Sequence, residues 1–470
     1  MQNRNIGLLK NTMILSIGQI IPKFLAFIVL PILTTYLSQK DYGLYELSLS
    51  VASFCVPMLS LQIQQGVFRF LIENKIDKKS IITDSFSFII AIFSLSAIPI
   101  VLFWYLYTND LTISILFFFA YFSEIMLTWE GQTVRGLGDN VSYSIAYVIY
   151  SIIFLASVIT VLKLCGALLI RDVALSMITA YCSAALYLFF KAKLYRYIQF
   201  FTFNKAILLI LLSYSWPMVI SSVALWIVNL SDRFFVSALL GIEVTAVYGV
   251  ANKIPNLFNS FYGVFNLAWT ENTSKLTRNE KNSDYYSIFF RSFYNVMVGM
   301  MLLLICSSPI IFKVLIDEKY SSAYSLMPWL FIGVFFNSLA SFFGSIYVGE
   351  KRTKDVGVSS AIGAVLNVAI NFLFMRRFGV IIAAISTIIS YAIICTYRAF
   401  DIKKYVHIEY DYKNISFGLI IIILISMVNS QYAFARWLFS VAIMVVFNLI
   451  FNRKFVKSIV SKGFQIIRRG

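Results

Sequence analysis

Residues Ile207 to Gly241 read ILLILLSYSWPMVISSVALWIVNLSDRFFVSALLG. The run exceeds the ~20 apolar residues that a helix needs to cross a bilayer core, yet it contains Ser231-Asp232-Arg233. In hydrocarbon an unpaired polar group is costly, so polar side chains on such a span must face protein or water. Ser215, Ser222, Asn229 and Asp232 recur at helical spacing, with Arg233 at the edge of the stripe. This reads as a membrane helix with one polar wall.

The rest of the chain agrees. Of 470 residues, 60% are apolar and 13% charged, against the ~45–50% and ~25% of ordinary soluble domains. Fourteen candidate spans run roughly 12–36, 42–65, 85–107, 112–134, 141–163, 167–190, 207–238, 242–267, 289–312, 327–348, 357–375, 380–399, 415–430 and 436–452. The last two are the weakest, since 415–430 is short and Gln431 and Arg436 crowd its end. The first span is too long for a signal h-region and lacks an Ala-x-Ala pattern, so it is expected to stay. No connection exceeds about twenty residues by this reading, so no soluble domain is expected on either side. Five cysteines without a close pair suggest neither a disulfide framework nor a zinc knuckle. A single histidine, His407, argues against a His-based metal site or a Ser-His-Asp triad.

Placing the N-terminus inside puts 28 of the 39 Lys and Arg in inner segments and eight in outer ones. Both termini are therefore expected in the cytoplasm. The net charge of +17 then reads as orientation charge facing anionic lipid, with no nucleic-acid partner. The remaining three cations, Lys23, Arg233 and Lys253, lie inside spans.

Polar stripes mark spans 1, 2, 7 and 8. The first carries Thr12, Ser16, Gln19 and Lys23; the second carries Tyr42, Glu46, Ser50, Ser53, Pro57, Ser60 and Gln64 over six turns. The eighth carries Asn252, Asn256, Asn259, Gly263 and Asn266, with Lys253 alongside. Interhelical hydrogen bonding explains any one stripe; confinement to the first two helices of each half suggests a shared polar cavity. A weak repeat at a shift of 203 aligns the Leu44-Tyr45 region with Val247-Tyr248, as a parallel duplication would. Five of the eight prolines (Pro22, Pro31, Pro57, Pro217, Pro255) lie in the same four spans, where they favour kinks. The expected fold is an all-α integral membrane protein of about 14 helices. Residues 1–206 form one six-helix lobe and 207–400 a second around a central cavity, with 401–470 supplying a helical hairpin and a basic tail.

Ionisable residues at mid-membrane mark a pathway or a pair. Lys23, Arg233 and Lys253 are candidate contacts for an anionic substrate, or else partners of Asp232, Glu46 or Glu124. Arg69, at the cytoplasmic mouth of span 2, is either an entry contact or an ordinary orientation charge. Glu46, Asp232 and Glu124 are candidates for proton or sodium coupling, whereas Glu130 beside Arg135 reads as a solvated ion pair. Gln19, Asn229, Asn252, Asn256 and Asn259 are candidate cavity-lining residues. Asn367 and Asn371, four apart, read as helix–helix glue.

Three groups of motifs carry a family resemblance. The first is Asn11-Thr12, then Tyr36-Leu37-Ser38-Gln39-Lys40-Asp41-Tyr42-Gly43-Leu44-Tyr45. The second is Ser231-Asp232-Arg233-Phe234-Phe235, Leu240-Gly241 and Val247-Tyr248. The third is Gly349-Glu350-Lys351-Arg352-Thr353-Lys354 with Asn367, Asn371, Phe378-Gly379-Val380 and Ser390-Tyr391. In this order the chain resembles the polysaccharide transporter family, the Wzx-type flippases of lipid-linked oligosaccharides, within the superfamily that also holds multidrug exporters. The resemblance implies a multi-pass protein of the bacterial inner membrane that carries undecaprenyl-diphosphate-linked oligosaccharide repeat units, of O-antigen or a similar surface polysaccharide, to the outer leaflet. It implies cavity cations, by position Lys23, Arg233 and Lys253, that receive the diphosphate-sugar head. Membrane lipids, a polysaccharide polymerase and a chain-length regulator would be its partners, and no cofactor beyond a coupling ion is expected. The rival readings are a small-molecule exporter, a membrane polymerase or glycosyltransferase, and a scaffold; no Asp-x-Asp motif favours the enzyme.

Overall fold

Apolar length decides most of the helices. The computed structural model describes residues 2–199, 203–275, 283–350, 352–406, 408–429 and 433–453. They form α1 (Gln2–Tyr36), α2 (Gln39–Leu59), α3 (Ile63–Glu73), α4 (Lys78–Thr108), α5 (Leu111–Gly136), α6 (Asn140–Cys165), α7 (Ile170–Lys191) and α8 (Lys205–Asn229). Then follow α9 (Ser231–Leu240), α10 (Ile242–Lys275), α11 (Ser283–Leu315), α12 (Met327–Gly349), α13 (Thr353–Phe378), α14 (Ile381–Asp401), α15 (Tyr412–Val428) and α16 (Phe434–Phe451). Among the described residues, eleven helices are long and apolar enough to cross a membrane, and shorter apolar helices cover Ile20–Tyr36 and Tyr412–Val428. Taking α2–α3 and α8–α9 as single broken crossings, the count agrees with the about fourteen that the sequence predicts. His407 and the basic tail from 454 onward lie outside the described residues.

Polar punctuation sets the ends. Asp110 Oδ1 accepts the N–H groups of Thr112 and Ile113 at 2.8 and 3.1 Å, and Asp139 Oδ1 accepts that of Ser142 at 2.9 Å. These caps satisfy donors that the first helical turn leaves open. Asp77 caps α4 in the same way at Ser80 N; that backbone N–H holds its carboxyl below the usual carboxylate range. The cap is therefore fully present at neutral pH and is lost as acid protonates the group. Gly166 and Gly379, at φ +68° and +77°, end α6 and α13 in the left-handed region where glycine carries no steric penalty.

The chain divides into two compact units, Met1–Trp226 and Ile227–Gly470. In the first, Trp129 lies in an apolar core with Ile63, Val67, Ile81 and Leu211, and its Nε1 donates to Ser85 Oγ at 3.0 Å. The polar stripe expected to run unbroken along span 2 is interrupted. After Pro57, α2 stops, and Leu61 and Gln62 adopt φ +45° and +54° before α3 begins. Each such non-glycine residue costs of order 1–3 kcal/mol. Side chains hold the break: Ser60 Oγ accepts Gln62 N at 3.2 Å, and Gln62 Nε2 donates to Ser222 Oγ of α8 at 2.9 Å. Further along, Gly66 lets α3 and α8 touch, since a Cβ there would stand 2.8 Å from the Leu211 carbonyl oxygen.

In the second unit, the Trp269 indole stacks on Phe289 and Phe342 at centroid distances of 4.2 and 4.9 Å. Arg398, one of the 28 Lys and Arg that the sequence reading places in inner segments, at 398–413, is instead buried. Its guanidinium donates to Ser359 Oγ, Ser360 Oγ and the carbonyls of Ala340 and Val356, tying α14 to α12 and α13. Carboxamides fasten the hairpin α15–α16: Asn429 Nδ2 donates to Ser440 Oγ at 2.8 Å, and Asn452 Nδ2 donates to the Asn295 carbonyl of α11 at 2.9 Å.

This packing is open to measurement at two positions. Gly66→Ala pushes α3 off α8 and lowers unfolding stability by about 1–3 kcal/mol; an unchanged thermal midpoint in detergent would contradict the contact. Arg398→Leu removes four hydrogen bonds from a charged donor, each worth ~1.5–3 kcal/mol. It is therefore expected to lower the midpoint far more than Arg377→Leu, whose side chain is exposed.

Candidate functional site

The seventh crossing is not one helix. It breaks at Leu230, and α9 restarts at Ser231, so that Asp232 falls in the first turn of the new helix. A carboxylate is favoured there by the N-terminal end of the helix dipole. Ser231 Oγ donates back to the Ile227 carbonyl at 2.5 Å, and Arg233 N reaches Leu230 O at 3.2 Å, which occupies two of the backbone groups at the break.

Asp232 is 3% exposed, and three neutral donors converge on it. Asn371 Nδ2 reaches Oδ1 at 2.7 Å, Thr387 Oγ1 reaches Oδ2 at 2.8 Å, and the Tyr248 hydroxyl reaches Oδ2 at 3.0 Å. The donors come from α13, α14 and α10. Behind them, Asn371 Nδ2 also approaches Asn367 Oδ1, Asn367 Nδ2 donates to Ser386 Oγ, and Ser386 Oγ lies 3.0 Å from Asn371 Oδ1. Tyr391 donates to Asn229 at the end of α8. Asn367, Asn371 and Ser386 are fully buried. A buried carboxylate is tolerable when both oxygens are hydrogen-bonded, and here both are. Such a group changes its interactions sharply when a proton or cation reaches it.

Arg233 is buried in α9, next in sequence to Asp232, while Lys253 and Asn252 are half-buried on α10, where Asn252 Nδ2 donates to the Tyr248 carbonyl. Asn256 is exposed and accepts from Asn259 Nδ2, and Asn259 Oδ1 in turn accepts from Asn337 of α12 at 3.4 Å. Asn266 takes the Tyr262 and Ser345 hydroxyls. Much of the α10 stripe thus serves contact with α12.

In the first unit, Lys23 is exposed on α1, and among the described residues no carboxylate lies in ion-pair range of it. The Gln19 side chain, with those of Thr12 and Ser16, lies outside the described residues. Arg69 is exposed on α3 and pairs with Glu73 Oε1 at 2.6 Å, an exposed i,i+4 contact worth about 0–1 kcal/mol. Glu46 is buried and accepts from the Tyr42 hydroxyl at 3.1 Å. Glu124 is half-buried on α5, with the Tyr181 hydroxyl of α7 directed at it.

One expectation fails. Glu130 is no solvated ion pair: it is 3% exposed, and among the described residues its Oε2 has no hydrogen-bond partner. Arg135 turns away, donating to Gln132 Oε1 and lying 4.7 and 5.1 Å from the ring centroids of Phe68 and Tyr143. Cation–π contact takes the place of the carboxylate.

The knot around Asp232 is legible in the sequence only in pieces. Asn367 and Asn371 stand out by their spacing as glue, yet Asn371 holds the carboxylate itself. Ser386 and Thr387 carry no signal beyond being polar on an apolar span. Among the described residues no group of three or more His, Cys, Asp or Glu stands together as a metal site.

Comparison with known proteins fits this architecture. The sequence pattern of the family described as "Polysaccharide biosynthesis protein" matches residues 8–270, and that of MatE matches residues 217–373. No curated protein sequence matches the chain. Among solved structures, a lipid II flippase MurJ in an inward closed conformation is similar at 17% identity and TM-score 0.69, covering 95% of this chain and 100% of that one. An inward-facing multidrug resistance MATE family transporter of the MOP superfamily shares 12% identity at TM-score 0.62, over 81% of this chain and 98% of its own. A MOP superfamily transporter from Pyrococcus furiosus shares 13% identity at TM-score 0.56, over 84% and 95%. The chain thus has the fold of MOP-superfamily transporters, and it belongs to the polysaccharide biosynthesis protein family.

Proposed function

We propose that this transporter is a flippase for undecaprenyl-diphosphate-linked oligosaccharide repeat units, such as those of O-antigen, moving them from the inner to the outer leaflet of a bacterial inner membrane by alternating access. The observation that carries this reading is a combination. A chain of the polysaccharide biosynthesis family places cations on its membrane helices, Lys23 on α1, Arg233 on α9 and Lys253 on α10. A diphosphate-sugar head cannot cross ~30 Å of hydrocarbon unaided, whereas its isoprenoid tail is at home there. Arginine can grip phosphate oxygens bidentately and lysine acts as a point charge. The likeness in fold to a lipid II flippase supports a lipid-linked substrate.

Asp232 is the coupling carboxylate in this reading. Its oxygens are held by neutral donors, so a proton or sodium ion arriving there would weaken the bonds from Tyr248, Thr387 and Asn371. That disturbance would reach α10, α13 and α14 together. Glu46 and Glu124 are the corresponding candidates in the first unit.

The MatE match over residues 217–373 favours one alternative, a small-molecule exporter. The two part on deletion: flippase loss removes surface polysaccharide, exporter loss changes drug tolerance with polysaccharide intact.

Lys23→Ala and Arg233→Ala are each expected to reduce surface polysaccharide in a complemented deletion strain at normal protein abundance. Wild-type polysaccharide in both would falsify the role given to these cations. Asp232→Asn keeps the shape of the knot and removes its charge. In vesicles carrying purified lipid-linked units, it is expected to leave substrate binding intact and to abolish the dependence of outer-leaflet exposure on proton or sodium gradients. If its gradient dependence matches wild type, Asp232 is not the coupling residue.

A further inference from the structure

Away from the Asp232 knot, a cavity of about 280 Å³ opens between α11 and the segment leading into α15. Its polar wall combines opposite charges. The Arg291 guanidinium stands 3.4 Å from the Asp411 carboxylate, with side chains 63% and 37% exposed, and Glu409 lines the same space. Asn414, on the same wall, donates through Nδ2 to Asn295 Oδ1 at 2.8 Å. Ser287, Ile288, Phe290, Tyr294, Tyr410 and Ile415 complete the lining. Tyr410 is fixed in place, donating to the Ala399 carbonyl at 2.7 Å with Lys403 Nζ 5.1 Å above its ring.

We propose that this cavity seats the head group of a zwitterionic phospholipid bearing a primary ammonium, its phosphate on Arg291 and its ammonium between Asp411 and Glu409. Charge selects the class. An anionic head group would meet two carboxylates, and like charges in a half-buried site repel, whereas a phosphate joined to an ammonium satisfies both signs at once. Donor count selects the ammonium. Carboxylate oxygens accept N–H groups, of which a primary ammonium carries three and a quaternary one none.

Size and setting agree. The space of about 280 Å³ is enough for a small head group. Next to the cavity Ile288 is 67% exposed, and Phe417, Ile420 and Leu424 form an exposed apolar stripe along α15. Residues three and four apart share one helix face, so acyl chains have a continuous track leading from the head-group site. That track distinguishes a lipid from a soluble phosphoamine. The exposed Arg291–Asp411 pair, worth little by itself, gives way to the ligand at small cost.

The test uses the full-length protein in detergent, stripped of lipid and titrated with phosphatidylethanolamine, its N-methyl and N,N-dimethyl forms, phosphatidylcholine and phosphatidylglycerol of identical acyl chains. Bound lipid is counted by native mass spectrometry. Expected is at least tenfold preference for the primary ammonium over phosphatidylcholine and phosphatidylglycerol, falling stepwise with each methyl group. Arg291→Glu and Asp411→Asn should each cut that preference at least fivefold, with Arg291→Lys retaining most of it. Equal binding of all five lipids, preference for phosphatidylglycerol, or indifference to N-methylation would overturn the proposal, as would binding of free phosphoethanolamine as tight as that of the lipid. The methylation series needs only the native chain, so it decides the matter even where a variant fails to fold.

Discussion

A carboxylate inside a membrane bundle must be held by donors on every side, and Asp232 imposes that condition on four helices. Its oxygens draw Asn371 from α13, Thr387 from α14 and Tyr248 from α10. Each hydrogen bond to a charged group contributes ~1.5–3 kcal/mol. No single helix could supply these donors, since residues on one helix that lie close enough to Asp232 share its own face. The break at Leu230 makes the arrangement workable. It frees backbone groups that Ser231 and Arg233 then occupy, and it sets Asp232 at a helix start instead of in mid-helix.

The two broken crossings solve different problems. The break between α2 and α3 has two non-glycine residues at positive φ, held by Ser60 and by the Gln62–Ser222 contact. Strain of that kind persists only where neighbours over-determine it, and Gly66 against the Leu211 carbonyl supplies such a neighbour. The break before α9 involves no positive φ. It is held by polar side chains around a charge, so a change in the charge alters what holds it. The first break answers to packing and the second to electrostatics.

Apolar length is a property of sequence alone, which is why the crossings are legible in the chain itself. Asp232 is equally visible, because an ionisable residue on an apolar span has few innocuous explanations. Features that depend on which faces meet escape such a reading. Leu61 and Gln62 carry no glycine to announce left-handed backbone. Arg398 stands at a span end beside Lys403 and Lys404, and a loop-charge count treats all three alike, although only Arg398 turns inward to Ser359, Ser360 and two carbonyls. Glu130 and Arg135, five apart, invite pairing, but aromatic rings take the arginine. Asparagines on α10 give a stripe whose partners on α12, Asn337 and Ser345, the spacing alone cannot name.

Buried carboxylates are treated unequally in the two units, and this bears on where motion is cheapest. Asp232 has both oxygens engaged, so displacing its neighbours forfeits several charge-assisted bonds at once. Asp84 holds Asn204 N with Oδ1 at 3.0 Å, and among the described residues its Oδ2, Glu130 Oε2 and Gln64 Oε1 are buried without hydrogen-bond partners. A buried polar atom left bare already carries a penalty of ~1–3 kcal/mol, which any rearrangement that finds it a donor recovers. These three atoms belong to α3, α4 and α5 of the first unit, the helices next to the strained turn at Leu61 and Gln62. Strain and unmet hydrogen-bonding capacity in one region lower the cost of leaving the present conformation. The knot around Asp232 raises that cost for the helices it joins. On this energetic footing the helices around the Leu61–Gln62 turn yield readily, and those around Asp232 hold their arrangement for as long as it keeps its three donors.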